Sequence, residues 1–309
     1  MKEASSLPPL TYQGNENGKM TLHLLLQIIG KIRLKMTPRK NHWWYITHYV
    51  GTQGFTTGPI HYGNGLHTCQ ITMDVLEHQI VVESSTGLKQ TIALKSGITI
   101  ATYFEEIMQL ISQLGIDVAL LDRPFDLNMD IPFSEIDQIH HYDEEYASTL
   151  WRVMRWIDGV FKEFSGRSYS KTCPVHLYWH SMDLAVTRFS GKKAPPMPSE
   201  ARISDKDAYS HECISFGFWP GDPQVQEPAF YSYTYPSPAG IDQKKLMPKE
   251  AKWVDSNGSP MAFLSYMDLV QANDPRSTLL DFLESSYQAG AALASWDIDE
   301  LTVPPLTDL

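Results

Sequence analysis

The runs Thr68-Cys69-Gln70-Ile71-Thr72-Met73-Asp74-Val75, Gln79-Ile80-Val81-Val82-Glu83 and Lys89-Gln90-Thr91-Ile92-Ala93-Leu94 decide the fold class. All are short and carry β-branched residues, the signature of strands. The connectors Glu77-His78 and Ser85-Thr86-Gly87 leave room only for tight turns, so the three strands read as an antiparallel meander.

Upstream, His42-Trp43-Trp44-Tyr45-Ile46-Thr47-His48-Tyr49-Val50 also reads as extended chain. Before it, Met20 to Met36 reads as a helix ended by Pro38, with apolar Leu22, Leu25, Leu26, Ile29, Ile32 and Met36 around most of its circumference. His23, Gln27, Lys31 and Lys35 recur at every fourth position, and the plain expectation for such a stripe is a solvated face.

Downstream, Thr99 to Leu114 is a second amphipathic helix stopped at Gly115. Ile116 to Leu121 reads as a further strand before a proline-containing crossing. A third helix starts at Asp143, whose acidic neighbours Glu144 and Glu145 complement the helix dipole. Val175 to Phe189, His211 to Trp219 and Ala229 to Tyr235 read as strands, and residues 236–262 as an irregular stretch. A last helix runs from the cap and first-turn proline of Asp274-Pro275 to about Gly290.

The class is therefore α+β, antiparallel sheets packed with helices. Residues 1–19 read as an irregular arm, 20–127 as a first α+β half and 128–309 as a second, the two packed as one globular unit. Each half runs helix, strands, helix. The block His42-Trp43-Trp44-Tyr45 is echoed 134 residues later by His176-Leu177-Tyr178-Trp179. A pseudo-repeat and a chance likeness of aromatic strands both account for this.

The chain has 309 residues, 42% hydrophobic and 20% charged, and a net charge of −11. That balance is globular rather than disordered, and it disfavours nucleic acid or an anionic membrane surface as partner. No apolar run reaches the roughly 18 residues of a spanning helix, and the opening residues lack the apolar centre of a signal peptide. Cys69, Cys173 and Cys213 are odd in number and show no metal or redox spacing, as expected of a cytoplasmic chain with reduced thiols. No glycine-rich phosphate loop and no nucleophile elbow is present.

The candidate chemistry lies mainly in the second half. Strand alternation puts His211, Cys213, Ser215, Gly217 and Trp219 on one face and Glu212, Ile214, Phe216 and Phe218 on the other. A buried, unpartnered Glu212 would be a general acid or base; at a frayed strand end it would pair with a lysine or arginine. His42, His176 and His211 each open a strand-like segment, and side by side they would hold a divalent metal, although no ligand spacing supports them. As single residues they would be ordinary hydrogen-bonded histidines.

Asp183 and Arg188 flank an apolar trio. Arg188 is either half of a structural ion pair or, beside the turn Ser190-Gly191, a clamp for a carboxylate or phosphate. Tyr231, Tyr233, Trp179 and Trp219 would wall an aromatic pocket or fill an ordinary core, with Asn41 and Trp43 at its polar edge.

Several motifs taken together resemble a known family. They are Thr21-Leu22-His23-Leu24 with Gln27-Ile28 and Gly30-Lys31-Ile32-Arg33; Asn41-His42-Trp43-Trp44; Pro174-Val175-His176; Asp183-Leu184-Ala185-Val186-Thr187-Arg188-Phe189-Ser190-Gly191; Tyr209-Ser210-His211-Glu212; and Phe218-Trp219-Pro220-Gly221. Over about residues 10–296 the chain is similar to a bacterial family catalogued as domain of unknown function 5996. The family has no assigned activity, so the resemblance implies kinship without a reaction. It places His23, Gln27 and Lys31 among the motif positions, which counts against a merely solvated stripe. This chain departs from it around His180-Ser181, where relatives carry small residues.

These residues point to a small-molecule enzyme with a His/Glu-centred aromatic pocket. Its catalytic candidates are His211, Glu212 and His176, and its anion clamps are Arg188 and Lys31. A non-catalytic binding protein using the same pocket is the alternative. An interaction scaffold with unrelated histidines is the third. Whether His42, His176, His211 and Glu212 share one cavity separates these readings. Oligomeric state is not legible.

Overall fold

Residues 7–305 and Thr307 are described in the computed structural model, and they form seven α-helices and two antiparallel sheets. The helices are α1 (Glu16–Met36), α2 (Ile100–Gln113), α3 (Glu144–Ser165), α4 (Ile203–Ala208), α5 (Tyr266–Val270), α6 (Pro275–Leu293) and α7 (Ile298–Leu301). Of the expected irregular arm, residues 1–6 lie outside the described part. The helix that ends the arm begins at Glu16 rather than Met20. Gly14, Asn15, Asn17 and Gly18 read locally as turn formers, but packing overrides so weak a propensity.

The first sheet is the expected meander with extra strands on its leading side. It holds β1 (Tyr49–Val50), β2 (Gly54–Thr56), β3 (Ile60–Tyr62), β4 (His67–Asp74), β5 (Gln79–Ser84) and β6 (Lys89–Ala93). The order is β1-β2-β4-β5-β6, with β3 also beside β4. Ile71 faces Val82 and Ile80 faces Ile92 across the ladder, and all four are buried.

The second sheet holds β7 (Lys171–Thr172), β8 (His176–Tyr178), β9 (Asp183–Lys193), β10 (His211–Trp219), β11 (Ala229–Tyr235), β12 (Lys252–Ser256) and β13 (Ser259–Ser265). Its order is β12-β13-β11-β10-β9-β7, with β8 also pairing β9. One face is covered by α3 and α6. The bounds of β10 and β11 match the sequence reading at both ends.

Three segments depart from expectation. Asn41–Trp43 is a 3-10 turn in which His42 and Trp43 both have left-handed backbone, φ 57 and φ 62. Side-chain contacts hold this turn against the extended preference of its aromatic residues. The 134-residue echo thus pairs a turn with a strand. Ile116–Leu121 pairs with no strand and continues as a loop. Residues 252–262, the end of the stretch expected to be irregular, belong to the β12–β13 hairpin around Asn257 and Gly258, both at positive φ, as a two-residue hairpin turn demands.

The residues of α1 are buried almost all round, because it lies between layers rather than on one. Its Leu25, Ile71 and Ile107 of the first half, and Leu150, Leu184 and Phe216 of the second belong to one contiguous buried cluster. A two-way backbone bridge between His48 and Leu177 (2.9 and 2.8 Å) also ties the halves together. Among the described residues no helix is long and apolar enough to cross a membrane.

Candidate functional site

Strand alternation builds the site. On β9, β10 and β11 the residues Leu184, Val186, Arg188, Ile214, Phe216, Phe218 and Phe230 turn toward α3 and α6 and are buried. The opposite parity, Asp183, Thr187, Phe189, Cys213, Ser215, Tyr231 and Tyr233, lines a cavity of about 990 Å³, a size suited to a small molecule. Gly217 makes room for this wall, since a Cβ there would lie 2.2 Å from Cζ of Tyr231.

The remaining walls come from elsewhere in the chain. Lys31 and Lys35 project from α1, and His42, Trp43 and Trp44 from the 3-10 turn. The loop 121–128 and α4 frame the mouth, where Leu121 and Ile203 are exposed. Trp179 seats on α1 at Gly30, where a Cβ would lie 2.3 Å from its Cγ, and its indole N–H donates to the carbonyl of Ile46 at 2.8 Å.

His23, Gln27 and Lys31 of the α1 stripe are buried rather than solvated, which corrects the plain expectation, while Lys35 at its end is exposed. Loop 121–128 covers it, and Gln27 clamps that loop by accepting from the Phe125 N–H (2.6 Å) and donating to the Phe125 carbonyl (2.9 Å). His23 donates to the carbonyl of His180 at 3.0 Å, and burial holds its pKa down at about 3. Lys31 is 4% exposed and makes no hydrogen bond or ion pair among the described residues. Its ammonium meets only the Phe133 ring, at 5.9 Å. Burial lowers its pKa, while the more distant Asp122 favours its charge.

The polar groups on the sheet wall are mostly hydroxyls. Tyr231 and Ser181 both donate to the carboxylate of Asp183. The hydroxyls of Tyr209 and Tyr233 are bonded at 3.0 Å, and those of Thr187 and Ser215 at 3.1 Å. Burial, before the charge of Asp183, keeps the Tyr231 phenol well above its ordinary pKa, and burial does the same for Tyr178 and Tyr233. At the mouth, Asp126 of loop 121–128 pairs with Arg202 beside α4 (3.3 Å) and lies 3.4 Å from His180.

Of the residues singled out from sequence, Lys31, Trp43, Trp179, Asp183, Tyr231, Tyr233 and His42 line this cavity. Both ring nitrogens of His42 are engaged. Its Nδ1–H donates to the Ala208 carbonyl at 3.0 Å, and Nε2 accepts from Lys171 at 2.8 Å. Burial lowers the pKa of both partners.

The other candidates fall outside the wall. Asn41 is exposed beyond it, and Trp219 lies at the far end of β10, opposite Ala229. Arg188 stacks over Phe164 and Tyr287 on the helix side and donates to the Phe164 carbonyl, so it cannot clamp a ligand in this cavity. Glu212 is half-buried and accepts from Ser190 at 2.8 Å. Its partner is a hydroxyl, neither a basic residue nor an empty apolar pocket.

His176 is buried against the edge of Tyr178, with Nε2 unpartnered and its pKa held at about 3 by burial. His211 lies 5.8 Å from His42, ring centre to ring centre, and its Nδ1 meets Ser210. Of His42, His176, His211 and Glu212 only His42 lines this cavity, so its chemistry rests on other residues. Among the described residues no three His, Cys, Asp or Glu side chains are grouped to hold a metal. Sequence reading met Tyr209 only within a family motif and missed Phe125 and the Asp126–Arg202 pair, since residues outside regular elements have no periodicity to place them.

No match was found among curated proteins or among solved structures. A family model matches residues 7–303, and the chain belongs to that family, the family of unknown function DUF5996.

Proposed function

We propose that this protein takes a small organic acid into the cavity, its apolar or aromatic body against Trp43, Trp179 and the tyrosines and its acid group at Lys31. One observation carries the reading. A lysine that is 4% exposed, with no hydrogen bond or ion pair among the described residues, forms part of the wall of a cavity rich in tryptophan and tyrosine. A buried charge is costly unless paired, so an arriving carboxylate gains what the protein leaves unmet. The net charge of −11 supports a small-molecule partner over a nucleic acid.

Calorimetric titration with benzoate and benzamide, alike in shape, tests this. Benzoate should bind at least about tenfold more tightly, roughly 1.4 kcal/mol, and Lys31→Met should abolish the difference. Equal binding of the two probes by the native protein would sink the proposal.

Turnover is a second reading. It rests on Asp183 with its Tyr231 and Ser181 donors rather than on His211, Glu212 and His176. A carboxylate held this way among hydroxyl groups in a cavity wall is placed to move a proton. Solvent-deuterium incorporation into a bound acid, absent in Tyr231→Phe, would separate enzyme from binder.

A further inference from the structure

We infer that the sheet wall around Asp183 is a subsite for an ammonium group, so that the ligand of this cavity is a zwitterion. The inference rests on the reading of Lys31 as the acid-binding end and adds an opposite end. Three aspartates line the cavity. Asp126 is matched by Arg202 and His180, and Asp205 sits on the short helix at the mouth. Asp183 has only hydroxyl partners, Ser181 and Tyr231, and no cation within ion-pair distance among the described residues.

The rings beside it meet no lysine or arginine among the described residues, although Tyr178 packs against His176 and His180. Tyr178 pairs directly with Asp183 across β8 and β9, and Tyr231 stacks on Tyr233 at 6.1 Å. None of the three rings carries a cation of the protein. By contrast Trp44 and Phe189, also in the cavity wall, are both covered by Lys171. The phenols of Tyr178, Tyr231 and Tyr233 stay protonated because burial disfavours the phenolate, so among the described residues these rings add no charge beside the carboxylate.

A carboxylate beside aromatic rings is an arrangement that recognises amines and quaternary ammonium groups. The hydroxyls of Ser181 and Tyr231 fix the carboxylate, and the ring faces favour a cation over a neutral group of the same shape. The basic end at Lys31 and the acidic end at Asp183 open into one cavity. A ligand bearing both charges would satisfy both.

Titration with benzylamine, benzyl alcohol, benzoate and 4-(aminomethyl)benzoate tests this. Benzylamine should bind the native protein at least tenfold more tightly than benzyl alcohol, a comparison that needs no variant. Asp183→Asn, which keeps the side-chain shape, should remove that preference without weakening benzoate binding. The zwitterion should bind more tightly than either singly charged probe.

Equal binding of amine and alcohol, or a preference that survives Asp183→Asn in a folded variant, would overturn the ammonium subsite. If benzoate fails but the Asp183-dependent preference for amine persists, the acid reading falls and the ammonium subsite stands.

Discussion

Arg188→Met should leave stability within about 1 kcal/mol of the native protein, whereas Arg188→Ala should cost about 2–4 kcal/mol. The guanidinium is 1% exposed, with Nε unpartnered, and it lies 3.6 Å from the Phe164 ring centre and 4.5 Å from that of Tyr287. Burial holds its pKa down at about 10. At about 1.4 kcal/mol per tenfold change, the fold disfavours the charge by roughly 3 kcal/mol at every pH below that value. Two cation–π contacts of about 1 kcal/mol each and one charge-assisted hydrogen bond of about 2 kcal/mol roughly offset it.

Methionine gives up both sides of that near-balance and keeps most of the volume. Alanine keeps neither charge nor volume and opens a void. Urea unfolding followed by circular dichroism gives both numbers. A methionine variant destabilised as much as the alanine variant would refute the reasoning, because it would mean that the charge itself meets an unseen anion. Benzoate binding by Arg188→Met should equal that of the native protein.

Gly30→Ala should cost about 1–3 kcal/mol through overpacking, since the new Cβ would fall 2.3 Å from Cγ of Trp179. A thermal midpoint unchanged from native would mean that the indole can slide. His23, His48 and His176 are each lowered by burial from 6.5 to about 3. Between those pH values the unfolded chain binds protons that the folded chain refuses, so stability falls as pH drops through the window. The loss is up to about 1.4 kcal/mol per pH unit for each ring. His48→Leu should flatten this acid limb by one proton in a denaturant series at stepped pH, and an unchanged slope would count against a buried neutral His48.

The strands β10 and β11 were legible because a sheet with one face on helices writes its parity into the sequence. The same parity held a lesson for Asp183 and Arg188. They are an odd number of positions apart on one strand, β9, so they point to opposite faces and cannot serve one ligand. The turn expected at Ser190-Gly191 is absent, because β9 runs on to Lys193. His23, Gln27 and Lys31 looked like a solvated stripe because amphipathic patterns say which residues differ, not what covers them. Loop 121–128 supplies that cover without any periodic signature. The Asn257-Gly258 hairpin was readable from its dipeptide, but Pro260 disguised it. That proline sits at the start of β13, before the residues that pair with β11, where a missing N–H is tolerated.

The all-round burial of α1 has a consequence for synthesis. A helix with one apolar face can park it on a single neighbour, but α1 needs several, and Trp179 is made about 140 residues after its last turn. At roughly 5–20 residues per second, that interval is about 7–30 s. For that time Leu22, Leu24, Leu25, Leu26, Ile28, Ile29 and Ile32 lack part of their native cover. The nascent chain, rather than the finished protein, is where this molecule is most exposed to aggregation, and its solubility on expression should follow translation speed through residues 37–179.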